Sequence, residues 1–237
     1  MKEEIYTIPL TEAYENQEIL CPFCFLKEKQ EKDLIDYTLG PSMMEPDCRE
    51  ESNAKGFCAH HLKLLSQGGN RLSLALMLST HFDAVLEDLE KLAKKKPNPT
   101  TGLLKKKDSG VALPLLEKHL HDCVICEKMD YTEKRYVEVF LYLWDRESEF
   151  REKVKQSRGF CNRHLLQLIQ IAPHKLKEES CRDFLSAILK VQAAQARKEK
   201  ETLAGYIDQF DYQQRSDHPD QYKNGVADVI LRLRGKE

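Results

Sequence analysis

Apolar residues recur at helical spacing along most of this chain. Leu74, Leu78, Phe82, Val85, Leu89 and Leu92 step by 4, 4, 3, 4 and 3, which predicts an amphipathic helix with one buried stripe. Phe184, Ile188 and Val191 mark a similar stripe within a long helix expected over Lys175–Ala204. Val137, Phe140, Leu141 and Trp144 mark another apolar helix. Short helices are expected over Leu62–Gln67 and Leu165–Ala172. Each is closed by a breaker, Gly68-Gly69-Asn70 in the first case and Pro173 in the second. Thr11–Leu20 reads as a polar helix, and a short final helix is expected over roughly Gln221–Leu233. Strand-like alternation is nearly absent, and at most Ile5 to Leu10 reads as extended. The expected fold class is all-α.

The pattern also repeats. GFCAHHLKLL stands at 56–65 and GFCNRHLLQL at 159–168. A CxxC precedes each, as Cys21-Pro22-Phe23-Cys24 and Cys123-Val124-Ile125-Cys126. The offsets agree: 21 to 123 and 24 to 126 are 102, while 58 to 161 and 61 to 164 are 103. We read an internal duplication. The 34 residues from Cys24 to Cys58 would run ~50 Å as one straight helix, so the CxxC and CxxH of one unit can meet only through a helical hairpin. Leu39-Gly40-Pro41 ends the first arm, and Ser42-Met43-Met44-Glu45 has the form of a capping box starting the second. In the second unit, Asp145 is the expected cap of a returning helix over Arg146–Gln156.

This reading predicts two duplicated helical-hairpin units, each pinned by a Cys3His metal site and followed by a long helix. It divides the chain into a first metal-binding helical unit at 1–93, a linker or mobile loop at 94–110, a second unit at 111–204 and a small C-terminal helical cap at 205–237. The units are expected to pack as one compact domain. Two lysine runs, Pro and Gly mark the linker, and Tyr206, Phe210 and Tyr212 form an aromatic patch in the cap.

Composition narrows the function. The net charge of −2, with 32% charged residues, gives no global pull toward nucleic acid or membrane. The opening MKEEIYTIPL lacks an apolar stretch of signal-peptide length. Leu72 to Phe82 is the longest uncharged apolar run, far short of the ~20 residues that span a bilayer. A cytoplasmic protein is expected, and in that compartment eight cysteines point to metal or redox work rather than disulfides.

Thiolate and imidazole suit tetrahedral zinc. The expected sites are Cys21, Cys24, Cys58 and His61, and Cys123, Cys126, Cys161 and His164. Two zinc ions are therefore expected. Each shell is complete from protein alone, which marks a structural ion and not a catalytic one. No GxSxG, P-loop, GxGxxG or HExxH occurs. The expected function is a zinc-binding, non-catalytic scaffold or interaction module, with a protein partner favoured over nucleic acid. The alternative is a metal- or thiol-dependent redox protein or enzyme using the CxxC pairs.

Smaller features follow the repeat. Cys48 and Cys181 have no counterparts and read as packing or exposed thiols. His60 stands beside His61 and could replace it, but Arg163 at the matching place favours His61. His119 and His121 read as solvated, and His81 as a core histidine. Asp47/Arg49 and Glu149/Arg151 occupy matching positions and read as ion pairs bracing each hairpin.

The paired CxxC and GFCxxHL units, with the late Phe210-Asp211-Tyr212 segment, resemble a family of uncharacterised bacterial proteins defined only as a domain of unknown function. The resemblance runs from about Cys21 to the C-terminus. Members are sometimes labelled transporter substrate-binding proteins, a label that calls for an export signal and an α/β pattern, neither of which is read here.

Overall fold

The computed structural model describes residues 4–16, 18–94, 112–210 and 222–236. All of the expected linker at 94–110 except Lys94, together with Asp211 and Tyr212, lies outside the described residues. Among the described residues all regular structure is helical. The elements are α1 (Glu4–Glu15), α2 (Pro22–Leu39), a 3₁₀ turn (Pro41–Met44), α3 (Pro46–Lys55), α4 (Ala59–Gln67), α5 (Arg71–Lys94), α6 (Ala112–His121), α7 (Val124–Arg146), α8 (Ser148–Gln156), α9 (Asn162–Lys175), α10 (Glu178–Asp208) and α11 (Gly225–Arg234). No helix among them is long and apolar enough to cross a membrane.

The chain forms two compact units that do not follow the two halves of the repeat. One, here the outer unit, is Met1–Lys29 with Thr132–Glu237; the other, the inner unit, is Gln30–Tyr131. The boundaries fall within α2 and α7, so each of these helices gives its first turns to one unit and the rest to the other.

The outer unit is built around Phe140, whose ring meets those of Tyr14, Phe23, Phe150, Phe160 and Phe184 at 5.4–6.2 Å. Such edge and tilted contacts add to the area term of burial. Phe184, Ile188 and Val191 are buried as their stripe predicts. α11 packs on α9 and α10 and carries Arg232, only 4% exposed. Arg232 donates to both carboxylate oxygens of buried Glu199 and to the carbonyls of Phe160 and Arg158. Gln192 clamps the same loop, accepting from Phe160 N–H and donating to Phe160 O.

The inner unit buries Ile35, Leu39, Phe57, Leu65, Leu74, Met77, Val124, Ile125 and Met129, with α3 lying along α5.

Several expectations are corrected. Ile5 to Leu10 is helical, not extended, and belongs to α1. Leu10, Ala13 and Tyr14 there fall on one face and are buried in the outer core, and that burial overrides the weak helix propensity of Thr, Ile and Pro. The capping box does not form. Ser42 Oγ instead donates to Thr38 O, and α3 starts at Pro46 after an extended Glu45. A proline at the first helical position forces its predecessor out of the helical region. Asp145 stays inside α7, and the break falls at Glu147. Pro173 lies inside α9, which ends only before Leu176.

The α5 stripe also divides. Leu74 is buried, but Phe82 and Leu89 are 68% and 43% exposed. Arg49 and Arg151 brace their turns by a different means from an ion pair. Arg49 donates to Met43 O, and Arg151 to the carbonyls of Trp144 and Asp145, at the end of the preceding helical segment. Helix ends leave such carbonyls without partners. His119 is largely buried beside Asp88, at 3.3 Å, and is not solvated. Cys181 is core packing, and His81 is held at 2.9 Å from Asn53 O.

Arg232→Ala should lower stability by about 3–5 kcal/mol, because it leaves the Glu199 charge buried without a partner. Denaturant unfolding measures it, and a loss below about 1 kcal/mol would contradict this account of the α11 anchor.

Candidate metal centres

All four Cys motifs occupy the same local position. Cys21, Cys58, Cys123 and Cys161 each precede a helix, and their carbonyls accept from Phe25, Leu62, Glu127 and Leu165 N–H respectively. Each is therefore an N-cap. The second ligand of each motif, Cys24, His61, Cys126 or His164, sits at the third helical position. Thiolates at helix N-termini are favoured by the helix dipole and by N–H groups without intrahelical partners. Gly56 and Gly159 set the approach. Both have positive φ, 68° and 81°, which glycine adopts without strain. The phenylalanine after each is buried.

The eight predicted residues gather in two groups of four, but the pairing is crossed. Cys21 and Cys24 meet Cys161 and His164 in the outer unit. Cys123 and Cys126 meet Cys58 and His61 in the inner unit. Each CxxC thus joins the CxxH of the other repeat, correcting the expected pairing within each repeat. The physical reason lies in α2 and α7, which carry the chain away from their CxxC into the other unit before it returns as a CxxH.

The donor atoms fit a four-coordinate ion. In the outer group, His164 Nδ1 lies 3.4, 3.5 and 3.0 Å from the sulfurs of Cys21, Cys24 and Cys161, and Cys24 Sγ lies 3.6 Å from Cys161 Sγ. In the inner group, His61 Nδ1 lies 3.2, 3.3 and 3.3 Å from the sulfurs of Cys58, Cys123 and Cys126, and Cys58 Sγ lies 3.7 Å from Cys126 Sγ. Metal–ligand bonds of about 2.3 Å to sulfur and about 2.0 Å to nitrogen give tetrahedral edges of roughly 3.5–3.8 Å. No disulfide forms, and all of these cysteines are free. Either group could hold a metal.

A family model matches residues 1–237, the full sequence. The chain belongs to DUF6062, a family of unknown function. No curated protein and no solved structure matches it.

Two further residues of this DUF6062 chain complete the centres. Glu31 Oε1 stands 3.2 Å from His61 Nε2, and Glu133 Oε1 stands 3.6 Å from His164 Nε2. A carboxylate beside the second ring nitrogen favours a proton there, the form that would leave Nδ1 free to bind a metal. The signal for these residues was present in the sequence. Glu31 and Glu133 are 102 apart, the same offset as the CxxC pairs. In effect α2 carries a CxxC for the outer centre and, seven residues on, a carboxylate for the inner one; α7 does the reverse.

At the outer centre, charged neighbours outweigh burial. Burial would raise the Glu133 carboxyl, but His164 and Arg163 outweigh it and hold it at about 2. Burial would lower His164, yet its bonds to Cys161, Cys24 and Glu133 raise it to about 11. Cys161 is held well below the usual thiol range by bonds from Cys21 and Cys24 and by the charge on His164. A proton is thus held tightly among thiols and a carboxylate, in a place where a divalent cation can displace it.

The two centres differ in exposure. Cys21, Cys24 and Cys161 are buried, whereas Cys58 and Cys126 are half-buried. Gly235 backs the outer centre. A Cβ added there would meet Cys161 Sγ at 3.0 Å and Cys24 Sγ at 3.5 Å.

Glu133→Gln should weaken metal binding at the outer centre about 10–100-fold, and Glu31→Gln at the inner one, each sparing the other. Competition against a chromophoric chelator reads both. Unchanged affinity in either variant would contradict the carboxylate's role.

Proposed function

We propose that this protein is a zinc-stabilised helical scaffold, holding two structural zinc ions and presenting its helices to a protein partner. The observation that carries the reading is that each donor group is complete. Three cysteines and one histidine are enough to fill a tetrahedral shell, which would leave no position for water or substrate. The ligands are Cys21, Cys24, Cys161 and His164 for one ion, and Cys58, His61, Cys123 and Cys126 for the other. Cys3His ligation favours zinc among the common divalent ions.

The ions act on the fold. Each ties an early segment of the chain to a late one, so metal binding and folding are one equilibrium. The interaction half of the reading is supported by α5, which exposes Leu72, Leu76, Phe82, Leu86 and Leu89. Apolar side chains shown together in this way mark interaction surfaces. Exposed Asp83, Glu87 and Glu90 flank them, which favours a protein over a phosphate backbone.

Elemental analysis of the purified protein should find two zinc ions per chain. Their removal by a strong chelator should cost stability on the order of 10 kcal/mol per site, read as loss of helical circular dichroism or a large fall in melting temperature. No bound metal, or iron with a visible chromophore, would overturn the zinc reading.

A further inference from the structure

The repeat makes the two centres equivalent, so the positions at which they differ are informative. In the outer unit, Arg163 stands immediately before the ligand His164. It donates to both oxygens of Glu133, at 3.1 and 2.8 Å. An arginine is a permanent cation and never a metal ligand, so that carboxylate is neutralised and occupied. In the inner unit the residue before the ligand is His60. Its Nε2 lies 2.9 Å from Glu31 Oε1, and its side chain is half exposed. Glu31, His60 and His61 present three donor atoms within 4.8 Å of one another. The His60 and His61 rings stand edge to face at 5.1 Å.

The surroundings differ in the same sense. All four outer ligands are buried and Gly235 lies over two of the sulfurs. The inner centre has two half-buried sulfurs, Cys58 and Cys126.

We infer that His60 and Glu31 form a landing site for a divalent cation of the zinc type, through which the inner centre exchanges its metal while the outer centre keeps its own. This inference rests on the zinc reading above. Imidazole with carboxylate is a donor pair such cations accept. Two donors hold a cation weakly, as an exchange site requires. A cation arriving there engages the Glu31 oxygen that also faces His61 Nε2, so its arrival loosens the support of one inner ligand as the new ion comes within reach of the open sulfurs. No proton or electron balance is altered, because one divalent ion replaces another or departs by the reverse path. In the outer unit Arg163 occupies that position, and among the described residues no such landing pair exists there.

The experiment uses the full chain loaded with two zinc ions and mixed with excess 4-(2-pyridylazo)resorcinol. Release should occur in two phases of one equivalent each. His60→Arg, which copies the outer unit, should slow the fast phase about tenfold and leave the slow phase and the loading of two ions unchanged. His60→Ala should slow it similarly, which separates loss of the donor from gain of a charge. Cys58→Ser should remove the fast phase, and its removal of the slow phase instead would overturn the proposal. A single phase, or a fast phase untouched by both His60 variants, would also overturn it. Loading of the unmutated chain below two ions, measured before mixing, would overturn the underlying zinc reading and the proposal with it.

Discussion

Cys24 and Cys161 are 137 residues apart in sequence, and their sulfurs stand 3.6 Å apart. That closure is the constraint on which the outer unit depends. Its N-terminal segment, Met1–Lys29, meets Thr132–Glu237 through the core around Phe140, through this group of four donors, and at the rim through Arg158 donating to Glu18 O and the Lys236–Glu28 ion pair. Bringing distant segments together costs loop entropy that grows with separation. A metal held by both ends would offset that cost at a single point. In the inner unit the closure is shorter, with Cys58 and Cys126 68 residues apart. There Val124 N–H also donates to Gly56 O, tying the two ligand loops through the backbone. Pro22 holds the equivalent place in the outer unit and has no N–H to give. Arg232 and Gln192 hold the Gly159–Phe160 loop instead.

α2 and α7 stand in a reciprocal relation. α2 and α7 each start on a CxxC and each carry a glutamate seven residues later. Cysteine at the cap puts sulfur where the helix dipole favours negative charge. The glutamate stands beside the histidine of its own half of the sequence, while the CxxC gathers with the other half's CxxH. One helix therefore serves both centres, and neither half of the sequence contains a complete one.

The sequence carried the eight cysteines and histidines that gather in two groups, the all-α class, and the α10 stripe of Phe184, Ile188 and Val191. It did not carry the pairing. A duplication offset shows which residues are equivalent, and it is satisfied equally by pairing within or between repeats. Glu31 and Glu133 were legible at the same offset, but glutamates are common on helix surfaces and do not stand out beside cysteines. The α1 helix was illegible because its Ile, Pro and Thr content favours extended backbone locally, while the burial of Leu10 and Tyr14 decides the outcome. The break before α3 was misplaced because Ser42 and Glu45 fit a capping box in spacing, whereas Pro46 dictates the backbone. In α5 the 4-4-3-4-3 spacing fitted one stripe, yet Leu74 and Met77 face the core and Phe82 and Leu89 do not. Spacing alone does not say which apolar positions along a helix are covered.

Crossed ligation is tested most directly by counting metal in two double variants, Cys24→Ser with Cys161→Ser, and Cys24→Ser with Cys58→Ser. The crossed arrangement predicts that the first pair disables one centre and retains one ion per chain, while the second pair disables both and retains none. Ligation within each repeat would give the opposite result, no ion for the first pair and one for the second, and would contradict this account.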